Sequence, residues 1–258
     1  MLKTRIIPTM LWKDVGLVKG IGFDSWRRTG TLMPAIKVYN ARQVDELILV
    51  DIMATGESRV PDFDMISEIS AECFVPFTVG GGIREVAHVR ELLRAGADKV
   101  CINSAAFENP SLIREAAERF GSQCIVASID ARRNLDGRFE CYARSGALAT
   151  GKEASAWAEC LEDLGAGEIL VTSIDRDGTM TGYDLDLIRS VARAVGIPVI
   201  ASGGAGNFGH FLSAITEAGA SAVAAASMFH FTQQTPLEAK RFLGAHGVPV
   251  RTSGLAGR

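Results

Sequence analysis

The sequence predicts a single closed (βα)8 barrel with two-fold half-barrel pseudo-symmetry, and two observations carry that prediction. Short apolar runs of strand length alternate with amphipathic segments of helix length from one end of the chain to the other. Strands that are apolar throughout, with helices between them, indicate a parallel sheet covered by helices. The second half of the chain also echoes the first, as expected of a barrel assembled from two related halves. Size agrees with both, because 258 residues without a break in composition suit one closed α/β barrel.

Taken in order, the strand candidates are residues 5–8, 46–51, 76–79, 99–102, 125–129, 168–173, 198–202 and 222–226. The repeat supports them in pairs. Val75-Pro76-Phe77-Thr78-Val79-Gly80-Gly81-Gly82-Ile83 is echoed by Ile197-Pro198-Val199-Ile200-Ala201-Ser202-Gly203-Gly204-Ala205. Each follows a strand reading Asp-Glu-Leu-Ile-Leu-Val (45–50) or Gly-Glu-Ile-Leu-Val-Thr (167–172). Glu46 and Glu168 lie 122 positions apart, as do Pro76 and Pro198. Each half then runs through Ala95-Gly96-Ala97-Asp98 or Ala218-Gly219-Ala220-Ser221 into another short strand. One domain is therefore expected over 1–251, with halves of roughly 1–122 and 123–251, and a tail at 252–258 that frays.

Composition removes several function classes. A net charge of -3 lacks the clustered basic excess of a nucleic-acid binder. No apolar run reaches the ~18 residues of a membrane span, and the start, Met1-Leu2-Lys3-Thr4-Arg5-Ile6-Ile7-Pro8, is interrupted too soon for a signal peptide. The five cysteines (Cys73, Cys101, Cys124, Cys141, Cys160) are odd in number and never form a C-x-x-C pair. They read as buried or half-buried free thiols in a reducing cytosol, so a cytoplasmic location is expected. His88, His210, His230 and His246 show no ligand spacing, so neither a metal nor a cofactor is expected; His230 reads as a packed or capping side chain.

The residues that carry chemistry cluster at strand ends. Glycines there let backbone N–H groups approach an anion closely, because no Cβ intervenes. In such a barrel the loops after strands seven and eight often bind phosphate; here these contain Gly203 and Gly204, and Ala226 and Ser227. The repeat places a second site opposite, from Gly81, Gly82, Asn103 and Ser104. Two sites suit a small molecule with a phosphate at each end; the same glycines also fit plain tight turns. Asp130 ends the strand Ile125-Val126-Ala127-Ser128-Ile129, which stands its carboxylate at the barrel mouth, where a partly desolvated acid can transfer protons. The sixth strand runs through Thr172 into Asp175-Arg176-Asp177-Gly178-Thr179. Asp177 is placed to orient a hydroxyl or amides, or to cap, while Asp175 and Arg176 are placed to pair with each other. Thr172 and Gly178 join the candidate substrate contacts.

The stretches Val79-Gly80-Gly81-Gly82-Ile83-Arg84, Asn103-Ser104-Ala105-Ala106, Arg119-Phe120-Gly121-Ser122-Gln123-Cys124, Asp175-Arg176-Asp177-Gly178-Thr179 and Ala201-Ser202-Gly203-Gly204-Ala205-Gly206-Asn207 resemble the cyclase subunit of imidazole glycerol phosphate synthase, over nearly the whole chain. The resemblance implies a glutaminase partner, of the class I glutamine amidotransferases, docked on the N-terminal face of the barrel. It also implies ammonia that passes a charged gate and travels along the barrel axis. Arg5, Glu46, Lys99 and Glu168 match the gate positions, and Asp98 matches a position facing the glutaminase. Each gate residue starts a strand candidate, so four alternating charges would ring the bottom opening; a purely structural salt-bridge ring fits the same residues. Lys19 matches a substrate contact from a mobile first loop.

One departure bears on chemistry. The family's cyclase uses an aspartate at the end of strand one and another at the end of strand five. The second matches Asp130; the first falls on Leu11. Leucine neither gives nor accepts a proton, and loss of such a group costs a factor of about 100 to 10,000 in rate. Asp14 lies three residues further on as a possible substitute; Val15-Gly16 replaces the usual Gly-Arg, and Thr31 replaces an acid. A kept gate with a lost acid resembles a branch linked to surface polysaccharide synthesis, and that resemblance implies ammonia fed to a third protein, an amidotransferase that modifies a nucleotide sugar. Leu2-Lys3-Thr4-Arg5, Ser70-Ala71-Glu72-Cys73-Phe74 and Ala222-Val223-Ala224-Ala225-Ala226-Ser227-Met228-Phe229 look closer to that branch. Three functions are thus expected in order: an ammonia conduit, an authentic cyclase–lyase of histidine biosynthesis, and a regulatory scaffold that activates a glutaminase.

Overall fold

A computed structural model describes residues 3–251; the expected frayed tail, 252–258, lies outside the described residues. The strands are β1 (Arg5–Lys13), β2 (Gly16–Ile21), β3 (Asp24–Gly30), β4 (Leu47–Asp51), β5 (Phe77–Gly80), β6 (Lys99–Ile102), β7 (Ile125–Arg133), β8 (Phe139–Ala143), β9 (Leu148–Glu153), β10 (Glu168–Ser173), β11 (Val199–Ser202) and β12 (Ala222–Ala225). Eight of them pair in parallel in the order β1-β4-β5-β6-β7-β10-β11-β12, and β12 returns to β1 through Arg5↔Ala222 to Pro8↔Ala225. This is a closed TIM barrel built on the eight expected strands.

The two-residue period of a strand sorts side chains to opposite sides of the wall. Ile7, Ile48, Cys101, Val126, Leu170, Ile200, Ala222 and Ala224 form one buried cluster inside the barrel. Their neighbours in sequence, among them Ile6, Leu47, Leu49, Val100, Ile125, Ala127, Ile169, Val171 and Val199, belong to a second cluster between barrel and helices. The helices supply the complementary face at helical spacing. Helix Ser111–Phe120 buries Leu112, Ile113, Ala116 and Ala117. Helix Leu185–Ala194 buries Leu187, Ile188 and Val191 and starts where the Asp184 side chain accepts from the Leu187 N–H.

The half-barrel repeat extends into the backbone. Gly81 and Gly203, 122 positions apart, both have positive φ (105° and 85°). A Cβ at either would collide with a carbonyl oxygen, that of Asp51 at 2.3 Å and that of Ser173 at 2.6 Å. Asp51 and Ser173 are themselves 122 apart, so each half turns over the end of the preceding strand in the same way.

Three expectations change. β1 runs to Lys13 rather than ending at Pro8, because it pairs with β12 through residues 5–8 and with β4 through residues 9–12. The first loop is an antiparallel hairpin, β2–β3, paired to the end of β1 through Leu11↔Val18 and Lys13↔Gly16. A matching hairpin, β8–β9, follows β7. Neither hairpin shows the continuous apolar signature of a barrel strand; β3 (Asp-Ser-Trp-Arg-Arg-Thr-Gly) and most of β9 are exposed or half-buried. Cys160 is exposed, unlike the other four thiols, which are buried or half-buried; all five are free.

Below the barrel, Asp45 accepts from Lys240 Nζ (2.7 Å) and from the Ile6 N–H (2.9 Å). Lys240 is 2% exposed and also donates to the Gln43 carbonyl at 2.6 Å. This pair ties the last helix to the first two barrel strands. Asp45→Ala strands a buried ammonium, and its unfolding free energy in urea is expected to fall by about 3–5 kcal/mol. A loss under about 1 kcal/mol, the value of an exposed pair, would show that the ammonium finds water instead.

Candidate functional site

The two ends of the barrel axis differ in kind. At the N-terminal end, Arg5 Nη1 donates to Glu46 Oε1 (2.8 Å) and Glu168 Oε1 (3.0 Å), and Lys99 Nζ reaches the same two oxygens at 3.2 and 2.8 Å. Each cation bridges both anions, so the four predicted residues close into one ring. Burial works against the Arg5 charge, and Glu46 and Glu168 outweigh it, so its proton is held more firmly than in a free guanidinium. Asp98, immediately before Lys99, is exposed on this same end and accepts from the Phe77 N–H at 2.8 Å.

At the opposite end the barrel opens into a cavity of about 560 Å³. Leu11, Lys19, Gly81, Gly82, Asn103, Ser104, Asp130, Thr172, Asp177, Gly178, Gly203, Gly204, Ala226 and Ser227 all line it, so every candidate predicted for the mouth does meet there. Strand ends deliver them. Val126, Ser128 and Asp130 alternate inward on β7, and Glu168, Leu170 and Thr172 do so on β10.

Asp130 is the chemically distinctive group. Burial raises its carboxyl to about 7, repulsion from Asp177 adds to this, and the Thr172 hydroxyl opposes it. Asn103 Nδ2 donates to Asp130 Oδ2 at 3.1 Å and to the Ser128 carbonyl at 3.2 Å. The Asn103 amide thus orients the acid rather than pointing only at a ligand. A carboxyl poised near neutrality can both give and take a proton in water at physiological pH.

Register identifies what stands at the equivalent place in the first half. Asp130 pairs with Thr172, and Leu11 pairs with Val50. Val50 and Thr172 are 122 apart, so Leu11 and Asp130 occupy matching positions of the repeat. One half of the mouth therefore presents Leu11 and Val50 where the other presents Asp130 and Thr172. Asp14 sits exposed at the turn between β1 and β2 with φ 53°, and it is not among the cavity-lining residues.

The β2–β3 hairpin covers the mouth. Lys19 Nζ donates to Asp177 Oδ1 (2.7 Å) and Oδ2 (2.9 Å), with both side chains buried. The Gly22 N–H donates to the Asp177 carbonyl at 2.9 Å. Phe23 and Trp26 from this hairpin line the cavity, as do Ile52, Arg144 and Ser145; the hairpin pair escaped sequence reasoning because most of its residues lack an apolar pattern. The expected Asp175–Arg176 pair does not form: Asp175 faces Arg132 (3.7 Å) and Arg176 donates to Thr181 (3.3 Å), because their side chains leave the turn in different directions. Ser104 accepts from the Arg144 N–H at 2.8 Å, and the Ser227 hydroxyl is buried without a partner. His230 is packed edge-on against Tyr39, and burial, with Lys19 nearby, lowers it to about 4.

Residues 5–235 match the protein family described as histidine biosynthesis protein. The chain belongs to this family. Members of the histidine biosynthesis family are typically enzymes of the lyase or isomerase type. The matched span holds all eight barrel strands and every residue of both the ring and the mouth. No helix among the described residues is long and apolar enough to cross a membrane.

A raised carboxyl has a stability consequence of definite sign. In the folded chain Asp130 keeps its proton up to about pH 7, whereas in the unfolded chain it ionises near its ordinary value of about 4. Folding is therefore increasingly penalised as pH rises from about 4 to about 7, and the penalty is constant above that. Asp130→Asn removes it, so urea titrations should show the variant gaining on the parent across this window. A difference independent of pH would place the Asp130 carboxyl at an ordinary value.

Proposed function

We propose that this barrel is a cyclase-type subunit of a glutamine amidotransferase, which conducts ammonia from a class I glutaminase on its N-terminal face to the mouth. The observation that carries this reading is the four-charge ring at one end of an axis whose other end opens on Asp130. Ammonia is small and neutral and crosses apolar surroundings such as Ile7, Ile48, Val126 and Leu170 at modest cost, while ions do not. The ring, with its charges mutually paired, bars free ions and water and opens only by rearranging its ion pairs. Asp98 at the rim of this face is the contact offered to the glutaminase.

At the mouth, the glycine turns at Gly81–Gly82 and Gly203–Gly204, with Asn103, Ser104, Ala226 and Ser227, hold the two ends of a phosphorylated small molecule. Lys19, Thr172, Asp177 and Gly178 complete the contacts. Leu11 leaves Asp130 without a partner acid, so cyclisation is lost and the ammonia goes to an acceptor outside the chain. A nucleotide sugar, amidinated for surface polysaccharide by a third, sugar-modifying amidotransferase, fits this loss. The second reading, an authentic cyclase–lyase forming imidazole glycerol phosphate and aminoimidazole carboxamide ribotide, is favoured by Asp130 itself, which retains the environment of a working acid–base group.

The test is association. Mixed with a class I glutaminase subunit, the chain is expected to form a complex and to raise glutamine hydrolysis, and Asp98→Lys is expected to weaken the complex at least tenfold. Absence of any complex by calorimetry and sedimentation contradicts the conduit.

A further inference from the structure

The ion pair between Lys19 and Asp177 joins the β2–β3 hairpin to the loop after β10. Lys19 belongs to β2, which is not a barrel strand; β2 pairs with the end of β1, and the turn after it is bonded to the loop after β10. Asp177 belongs to that loop, faces the same cavity as Asp130, and acts on Asp130 by charge. The fit between hairpin and loop is close: a Cβ on Gly178 would meet the Gly20 carbonyl oxygen at 2.0 Å, and one on Gly146 would meet Phe23 at 3.1 Å. The hairpin therefore lies close against the β10 loop and the β8–β9 hairpin, and its ammonium lies on both carboxylate oxygens of Asp177.

Among the described residues, Asp130 is acted on by the charge of Asp177. From β6 it meets the Asn103 amide and the Cys101 thiol, the latter raised to about 12 by burial and therefore uncharged. From β8 it meets Tyr142, its register partner, and Cys141, also raised to about 12. From β10 it meets the Thr172 hydroxyl and, beyond the strand, Asp177. β1 offers Leu11 at the matching level. On the far side of Lys19 is His230, neutral above about pH 4. The carboxylate that raises Asp130 is thus the one that Lys19 pairs with.

We propose that Lys19 is a positioning residue that acts on Asp130 through Asp177: when the hairpin seats, its ammonium offsets the Asp177 charge and makes the Asp130 proton easier to release. Hairpin closure and proton release at Asp130 are then linked, each favouring the other. The inference rests on the reading of Asp130 as the proton carrier of the mouth, and its test needs no turnover, so it stands or fails separately from the proposed function.

The test is the carboxyl carbon shift of Asp130 followed by NMR across pH, in protein labelled at aspartate, with Asp130→Asn to assign the signal. In Lys19→Met the Asp130 midpoint is expected to rise by about one pH unit, a tenfold gain in proton affinity. Lys19→Arg, which keeps the charge, is expected to restore the parent midpoint, and Asp177→Asn to lower it. Lys19 and Asp177 are both buried, so intact barrel folding is read from the dispersed methyl signals of the same samples. An unchanged or lowered midpoint in Lys19→Met overturns the proposal, as does a rise that Lys19→Arg fails to reverse.

Discussion

The structure depends on one geometric constraint: in a closed barrel of parallel strands, every second side chain must point at the axis. Helices cover the outside, so outward positions are committed to apolar packing, and the inward positions are left to chemistry. Moving up the axis, the wall presents charges (Arg5, Glu46, Lys99, Glu168), then hydrocarbon (Ile7, Ile48, Val126, Leu170, Ile200), then mixed groups that end in Leu11 and Asp130. Shifting one strand by a single residue would bury its outward set inside the barrel and break the ring. Fold and site are therefore one arrangement.

Pseudo-symmetry makes the site interpretable without a ligand. Matching turns at Gly81 and Gly203, and matching hairpins after β1 and β7, show that both halves follow one plan. Against that plan, the replacement of a carboxyl and a hydroxyl by Leu11 and Val50 stands out as a chemical difference between equivalent places. At the position matched to Asp130, leucine supplies no acid–base partner. The desolvation of Asp130, however, remains, and this keeps it near neutrality while Asn103 and Thr172 fix its orientation. At this matched pair of positions the apolar half thus offers no ionisable group, and the other half offers Asp130.

Much of this was legible beforehand, for physical reasons. The eight strands showed because both sides of a barrel wall are covered, leaving continuous apolar runs such as Leu47-Ile48-Leu49-Val50. The ring and mouth residues showed because they sit at strand starts and ends, which the runs delimit. The hairpins did not, since β3 and β9 are solvated on at least one side and carry no apolar period. Nor did the partner of Asp177: Lys19 is 158 positions away, and only the folding of β2 over the mouth brings them together. Asn103 was expected at an anion, and its additional hold on Asp130 comes from the neighbouring pair β6–β7. Cys160 was read as shielded because thiols usually are, yet it lies on the solvent side of its helix.

The central claim is that the mouth holds one working carboxyl where cyclisation requires two. Its most direct measurement is turnover of the aminoimidazole ribotide substrate with ammonium salt as nitrogen source, for the parent chain and for Leu11→Asp. The account predicts a parent rate at least 100-fold below that of an ordinary cyclase, and a measurable recovery in Leu11→Asp. Parent turnover within about tenfold of an ordinary cyclase would contradict it, since a mouth with Leu11 beside Val50 would then be carrying out the two-acid reaction.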